Sequence, residues 1–216
     1  VPGGGFRVRR ARDGEALTTL DDVERTLGPD DLLICGADDV ALGLAGVMGG
    51  ASAEIGPATT DVALEMAWFL PRSVSRTSRR LGLRTEASAR FERGCDPEAI
   101  PAAAARFAAL AAEICGTTLA PGAVDVRGEL PAREAITVRP TRVNQVLGTD
   151  LDAAAITTLL DPIGFTCEPQ GQDLAVTIPS WRYDSTAEVD VVEEVARHHG
   201  YDRIPRRALA HAHPGS

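Results

Sequence analysis

The sequence predicts an α+β fold in two parts: a mixed-strand first domain, then a small winged-helix-like α/β domain. Three observations carry this reading. Short apolar runs stopped by glycines occupy residues 31–50, an alanine-rich helical run occupies 102–115, and a helix–helix–hairpin–helix pattern fills 141–200. A charged, proline-containing joint, "RGELPAREA" at 127–135, separates the patterned halves, so the domains are read as 1–131 and 132–205, with a tail at 206–216.

In the first domain, "DLLICGA" (31–37) and "VALGLAGVMGG" (40–50) read as short strands. "TTDVALEMAWF" (59–69) alternates, with Val62, Leu64 and Met66 on one side and Ala63, Glu65 and Ala67 on the other, and is expected to be a further strand. Arg72, Arg76, Arg79 and Arg80 recur at three- and four-residue spacing, as on one solvated helix face. A helix is expected from Ala102 to Cys115, closed by Gly116. Asp96-Pro97-Glu98 signals a helix start, yet Pro101 is expected to kink the first turns or delay them.

The second domain is better patterned. "AITVRP" reads as a strand, "TRVNQVLG" as a helix ended by Gly148, and "DAAAITTLLDPIG" as a helix with Ile156, Leu159 and Leu160 inward. A hairpin follows, "GFTCEP" and "DLAVTIP" about a turn at Gln170-Gly171. "TAEVDVVEEVARHHG" closes the unit as a helix, with Val189, Val192, Val195, Ala196 and His199 as its inner stripe.

Composition narrows the chemistry. A chain of 216 residues with 44% hydrophobic content can bury a core, and no apolar run is long enough to cross a bilayer. The start "VPGGGFRVRR" lacks a signal peptide's apolar stretch, so the expected location is cytoplasmic, with no membrane partner. Cys35, Cys95, Cys115 and Cys167 are scattered without a C-x-x-C pair and read as small hydrophobes. All 22 basic residues are arginine, which excludes a P-loop, a Schiff base or a lysine general base. The net charge is −9 and both halves are acidic, which argues against DNA as a partner.

Two constellations stand out. The first is Glu65 with the turn Gly46-Val47-Met48-Gly49-Gly50 and the polar knot Thr85-Glu86-Ala87-Ser88, set among Arg72, Arg76, Arg79, Arg80, Arg84, Arg90 and Arg93. Glu65 sits in apolar text, where a carboxylate needs hydrogen-bond donors, and a salt bridge to one of those arginines is an equal alternative. "GVMGG" also reads as a plain tight turn. The second is acidic: Asp184, Asp190, Glu193 and Glu194. Like charges at that spacing cost a helix about 0.2–0.5 kcal/mol per pair, so a hard divalent ion or pairing of Arg197 with Glu193 should offset them.

"GLAGVMGGASAEIG" followed by "LEMAWFLPRSVSRTSRRLGLRTEASARFERGCDP" resembles the editing domain of the bacterial-type phenylalanyl-tRNA synthetase beta subunit. "PSWRYDSTAEVDVVEEVARHHGYDRIP" resembles the next domain of the same subunit, in the same order. The resemblance implies a piece of a longer subunit, with the editing domain incomplete at its N-terminus because a histidine-containing motif of the family lies upstream. It implies hydrolysis of tyrosine mischarged on phenylalanine tRNA, with Gly46, Gly49, Glu65, Thr85 and Ala87 in the pocket and Thr85 at the reaction. Glu65 and a backbone N–H of the turn would select for the tyrosine hydroxyl, because a substrate lacking it leaves buried polar groups unpaired. The arginines would pair with acidic neighbours or meet the tRNA's terminal phosphates. It further implies an alpha2beta2 heterotetramer with the catalytic alpha subunit, Mg2+ shared with that subunit through Asp184, Asp190, Glu193 and Glu194, and ATP used by the whole enzyme but not bound here. A non-catalytic scaffold that binds the alpha subunit is the alternative.

Overall fold

The computed structural model describes residues 4–205, and the chain divides after Pro121 into two compact units. Residues 117–135 carry no regular secondary structure. Among the described residues no helix is long and apolar enough to cross a membrane.

The first unit is built on an antiparallel sheet of β1 (Phe6–Arg10), β4 (Leu32–Gly36), β5 (Ala41–Leu44) and β6 (Met48–Gly49), in that spatial order. A separate ribbon pairs β2 (Ala16–Thr18) with β3 (Glu24–Thr26), Leu17 opposite Arg25. "VALGLAGVMGG" is therefore a hairpin rather than one strand: Val47 N–H returns to the Leu44 carbonyl at 3.0 Å, and Gly46 takes the left-handed φ of +67° that the turn requires. Leu17, Leu27, Leu33, Leu44, Val47, Phe69, Val74 and Leu83 form the core, each fully buried aliphatic side chain contributing about 1.5–3 kcal/mol.

Three helices follow. α1 (Pro71–Leu81) begins with proline at its first turn, buries Val74, Thr77 and Ser78, and turns Arg72, Arg76 and Arg79 outward; it ends at Gly82, φ +65°. Buried Asp31 fastens it to the loop before β4, accepting from Thr77 Oγ1 at 2.8 Å and Gly28 N at 2.9 Å while pairing with Arg80. α2 (Glu86–Phe91) is short, and its Phe91 ring lies 5.4 Å from Phe69. α3 (Ile100–Cys115) runs unbroken, because Pro101 falls in the first turn, where its missing N–H has no intrahelical partner to lose. No α3 residue is buried, and Cys115 is exposed, unlike the buried Cys35, so the small-hydrophobe reading fails at Cys115.

The expected strand at 59–69 is absent. Residues 54–70 carry no regular secondary structure beyond a turn at 57–58 and no ladder partner among the described residues, and Val62 and Leu64 are 58% and 44% exposed. Alternation supplies a sided segment, but a strand also needs a neighbour for its N–H and C=O groups.

The second unit follows the expected order: β7 (Ile136–Val138), α4 (Pro140–Leu147), α5 (Ala153–Leu160), β8 (Thr166–Gln170), β9 (Asp173–Thr177) and α6 (Glu188–His199). The antiparallel sheet has the order β7-β9-β8, and the hairpin pairs Gln170 with Asp173 around Gly171 at φ +67°. Asp152 caps α5 by accepting from Ala155 N at 2.7 Å. The core joins Val138, Val143, Ile156, Leu160, Phe165, Val176, Val191, Val192 and Val195. The inner stripe of α6 holds Val192, Val195 and Ala196 as expected, but Val189 is 64% exposed and Val191 takes its place in the core.

Candidate functional site

The glycine turn and the polar knot meet. Thr85 is the N-cap of α2: its Oγ1 accepts from Ser88 N at 3.0 Å, and Ser88 Oγ accepts from Thr85 N at 2.9 Å, a reciprocal capping box. The same Thr85 hydroxyl donates to the Val47 carbonyl at 2.6 Å, tying the start of α2 to the turn. The end of α2 presses on that turn too, since a Cβ added at Gly46 would meet Phe91 and Val74 at 3.1 Å and Phe69 at 3.2 Å. At Gly49 an added Cβ would meet Leu20 at 3.0 Å. Gly46 is thus required by packing and by its φ of +67°, whereas at Gly49 the neighbour is the end of a flexible, half-exposed leucine side chain. Ala87 is exposed on α2, two residues past the cap.

Glu65 lies in the irregular segment that Phe69 anchors to this cluster. It makes no hydrogen bond or ion pair among the described residues, so the expected alternative of a salt bridge to a nearby arginine is not formed: Arg80 goes to Asp31 and Arg90 to Glu86. Its side chain is exposed overall, yet protein crowds it enough for desolvation to push the carboxyl above its ordinary pKa. The Thr85 hydroxyl has one acceptor position beyond the two bonds it makes, and its hydrogen is committed to Val47. It can orient a water but cannot act as a nucleophile without breaking the turn.

Three of the four acidic residues, Asp184, Glu193 and Glu194, line one open depression, and Asp190 is not part of its lining. Glu194 is 2% exposed and is held by Arg182 at 2.5 Å and by Arg197, with His198 Nε2 3.7 Å away. Arg182 also grips Asp184 through two bonds of 2.9 and 3.0 Å, and its guanidinium lies over the Phe165 ring at 5.7 Å. The Arg182 hydrogen bond, ahead of every other influence, lowers the pKa of Glu194 and likewise that of Asp184. Asp190 accepts from the backbone N–H of Thr186 and Ala187, both at 2.8 Å; Ala187 has no side-chain acceptor to return a bond, so this cap is one-sided. Glu193 is exposed, beside that open depression of about 850 Å³, shared with Trp181 and Arg197. The expected pairing of Arg197 with Glu193 is corrected: Arg197 turns to Glu194, one residue on.

Among the described residues no three of His, Cys, Asp or Glu are arranged to hold a metal ion. Magnesium needs free carboxylate oxygens, and here Asp184 and Glu194 are neutralised by guanidinium groups and Asp190 by backbone donors. As arranged in this chain, Asp184, Asp190, Glu193 and Glu194 do not fit a Mg2+ shell.

The sequence reading missed the capping role of Thr85, although Thr-x-x-Ser before a helical turn carries that signal. It also missed Arg182, whose only signal was its place two residues before Asp184.

Comparison with known proteins defines the class. Residues 2–116 match the B3/4 domain and residues 136–201 the tRNA synthetase B5 domain, and the chain belongs to the B3/4 domain family. The relatives it is similar to are phenylalanine–tRNA ligase beta subunits. Those of Salinibacter ruber and Moorella thermoacetica are each 48% identical over 198 residues, 92% of this chain and 24% of the relative. The chain thus spans about a quarter of the length of these curated relatives. A crystal structure of an N-terminal fragment of the phenylalanyl-tRNA synthetase beta subunit from Pyrococcus horikoshii aligns with TM-score 0.45 and 12% identity, covering 91% of this chain and 56% of that one.

Proposed function

We propose that this chain is the editing and subunit-contact part of a phenylalanine–tRNA ligase beta subunit, and that its first unit hydrolyses tyrosine mischarged on phenylalanine tRNA. The observation that supports this is the Thr85–Val47 hydrogen bond at 2.6 Å, which ties the N-cap of α2, two residues before Ala87, to the turn that carries Gly46, with Gly49 on the same hairpin. Glu65, exposed and without a partner among the described residues, with its pKa raised by desolvation, is available to accept a hydrogen bond from the tyrosine hydroxyl. A water attacks the ester carbonyl carbon, the C–O bond to the terminal ribose breaks, and the ribose hydroxyl leaves with a proton from that water. Backbone donors other than the N–H groups of Ala45, Val47 and Gly50, which are bonded to Leu32, Leu44 and Leu42, would face the developing oxyanion, while Thr85 holds the cap and orients the water.

In this reading the helix–helix–hairpin unit is winged-helix-like and docks the alpha subunit of a cytoplasmic alpha2beta2 enzyme that uses ATP elsewhere. Mg2+ held by Asp184, Asp190, Glu193 and Glu194 would require the alpha subunit to draw Arg182 and Arg197 away from their present partners. A scaffold without chemistry of its own is the second reading, favoured by the committed hydrogen of the Thr85 hydroxyl. The test is release of tyrosine and phenylalanine from the two aminoacyl-tRNAs by the alpha–beta complex and by this chain. Glu65→Ala in the complex should weaken discrimination between the esters by about 1–3 kcal/mol. An unchanged rate ratio refutes the selector role, and silence of this chain beside an active complex favours the scaffold.

A further inference from the structure

In an acidic protein, arginines normally find carboxylates. Most described arginines here do: Arg9 with Glu15 and Asp39, Arg12 with Asp39, Arg25 with Asp21, Arg139 with Glu188, Arg182 with Asp184 and Glu194. Five in one stretch do not. The guanidinium groups of Arg72, Arg76, Arg79, Arg84 and Arg93 make no hydrogen bond and no ion pair among the described residues. All five are exposed.

Their placement is ordered. Arg72, Arg76 and Arg79 share the outer face of α1, opposite buried Val74, Thr77 and Ser78, and their α-carbons span about 10 Å along the axis at 1.5 Å per residue. Arg79 and Arg84 flank a small depression with Gly82 and Glu92, and Glu92 bonds neither of them. Two fixed bonds hold this surface rigid: Asp31 anchors α1 through Thr77, and Ser78 Oγ donates to the Leu83 carbonyl at 2.6 Å across the helix end. A row of unpaired, forked guanidinium groups on a rigid helix is suited to the regularly spaced oxygens of a phosphate chain, each arginine able to take a phosphate bidentately.

We infer that the outer face of α1, continued by Arg84 and Arg93, is a docking track for the phosphate backbone of tRNA. This rests on the reading of the chain as acting on tRNA, and adds to it a surface that adjoins the Gly46–Thr85 cluster through Arg84. The track orients the nucleic acid without reading its sequence, because phosphate contacts carry charge and register but no base identity.

The probe is an unmodified phenylalanine tRNA transcript, titrated with this chain over a range of NaCl concentrations. Five phosphate contacts give a log–log salt slope of about −3.5 to −4.5. The triple variant Arg72→Gln/Arg76→Gln/Arg79→Gln should lose at least about tenfold in affinity at low salt and about 2–3 units of that slope. The corresponding Lys triple should keep the slope, since it keeps the charge, and Arg142→Gln on α4 should behave as wild type. Circular dichroism verifies that the variants remain folded, as expected for exposed, unbonded side chains. A Gln triple that binds within twofold of wild type overturns the inference, as does a wild-type slope near zero. Arginine-dependent binding to phosphatidylserine vesicles without binding to tRNA also overturns it. The editing reading is judged separately by tyrosine release from the complex: its failure alongside arginine-dependent tRNA binding leaves the track standing, and normal release by the Gln triple with unchanged binding removes the track alone.

Discussion

Removing the Thr85 hydroxyl separates its structural role from any chemical one. Thr85→Val keeps the shape of the side chain but deletes both bonds, the one accepted from Ser88 N at 3.0 Å and the one donated to the Val47 carbonyl at 2.6 Å. Loss of a threonine N-cap costs about 1 kcal/mol, and a half-buried carbonyl left without its donor adds about 1–2 kcal/mol. The sum, about 2–3 kcal/mol, should lower the urea midpoint of the first unit by about 1–2 M with an unchanged denaturant slope. Trp68, which lies in the first unit, reports the transition in a Trp181→Phe background. Thr85→Ser retains donor and acceptor and should recover most of the stability. A Thr85→Val midpoint within about 0.2 M of wild type would refute the view that this hydroxyl fixes the turn, and would leave it free for chemistry.

The remaining predictions concern packing and charge. Gly46→Ala adds a methyl 3.1–3.2 Å from Phe91, Val74 and Phe69 at φ +67°, and should cost about 2–4 kcal/mol; Gly82→Ala, at φ +65° with nothing within 4 Å, should cost only about 1–2 kcal/mol, and equal losses would show that packing at the turn is loose. Arg9 holds the Glu15 carboxyl down to about 2 from its ordinary 4.5, so the folded state takes up that proton later than the unfolded one. The resulting stability, up to about 3 kcal/mol, is fully present above pH 4.5 and lost as the pH falls towards 2; Glu15→Gln should flatten the urea-midpoint profile in that window, and parallel profiles would contradict the coupling. Arg182→Met leaves buried Glu194 one strong partner short and should cost about 3–5 kcal/mol, while Arg182→Met/Glu194→Gln should recover much of the loss in chemical denaturation; no recovery would place the cost in the Phe165 contact instead.

Legibility tracked the kind of information each element needs. α5 and the β8–β9 hairpin were readable because their signals are local: apolar spacing, an Asp152 cap and a glycine at a two-residue turn. β1 escaped notice because it is held by backbone pairing with β4 while Phe6 and Val8 remain 50% and 56% exposed, so its side chains carry no burial pattern. One member of the inner stripe of α6 differs from expectation, since Val189 and Val191 are equally apolar and only the location of the core chooses between them.

By itself, the sequence determined the α+β class, the order of elements in the second unit, the family-bearing motifs and the concentration of arginines after residue 71, all of which depend on residue types at fixed spacing. The tertiary structure decided which groups are already committed. It gave the Thr85 hydroxyl to Val47, Glu194 to Arg182 and Arg197, and Asp190 to the backbone, and among the described residues it left Glu65 and the guanidinium groups of five arginines without partners. Pairing requires two groups within about 3 Å from chain positions as far apart as 49 residues, as for Arg139 and Glu188, and that distance is set by packing.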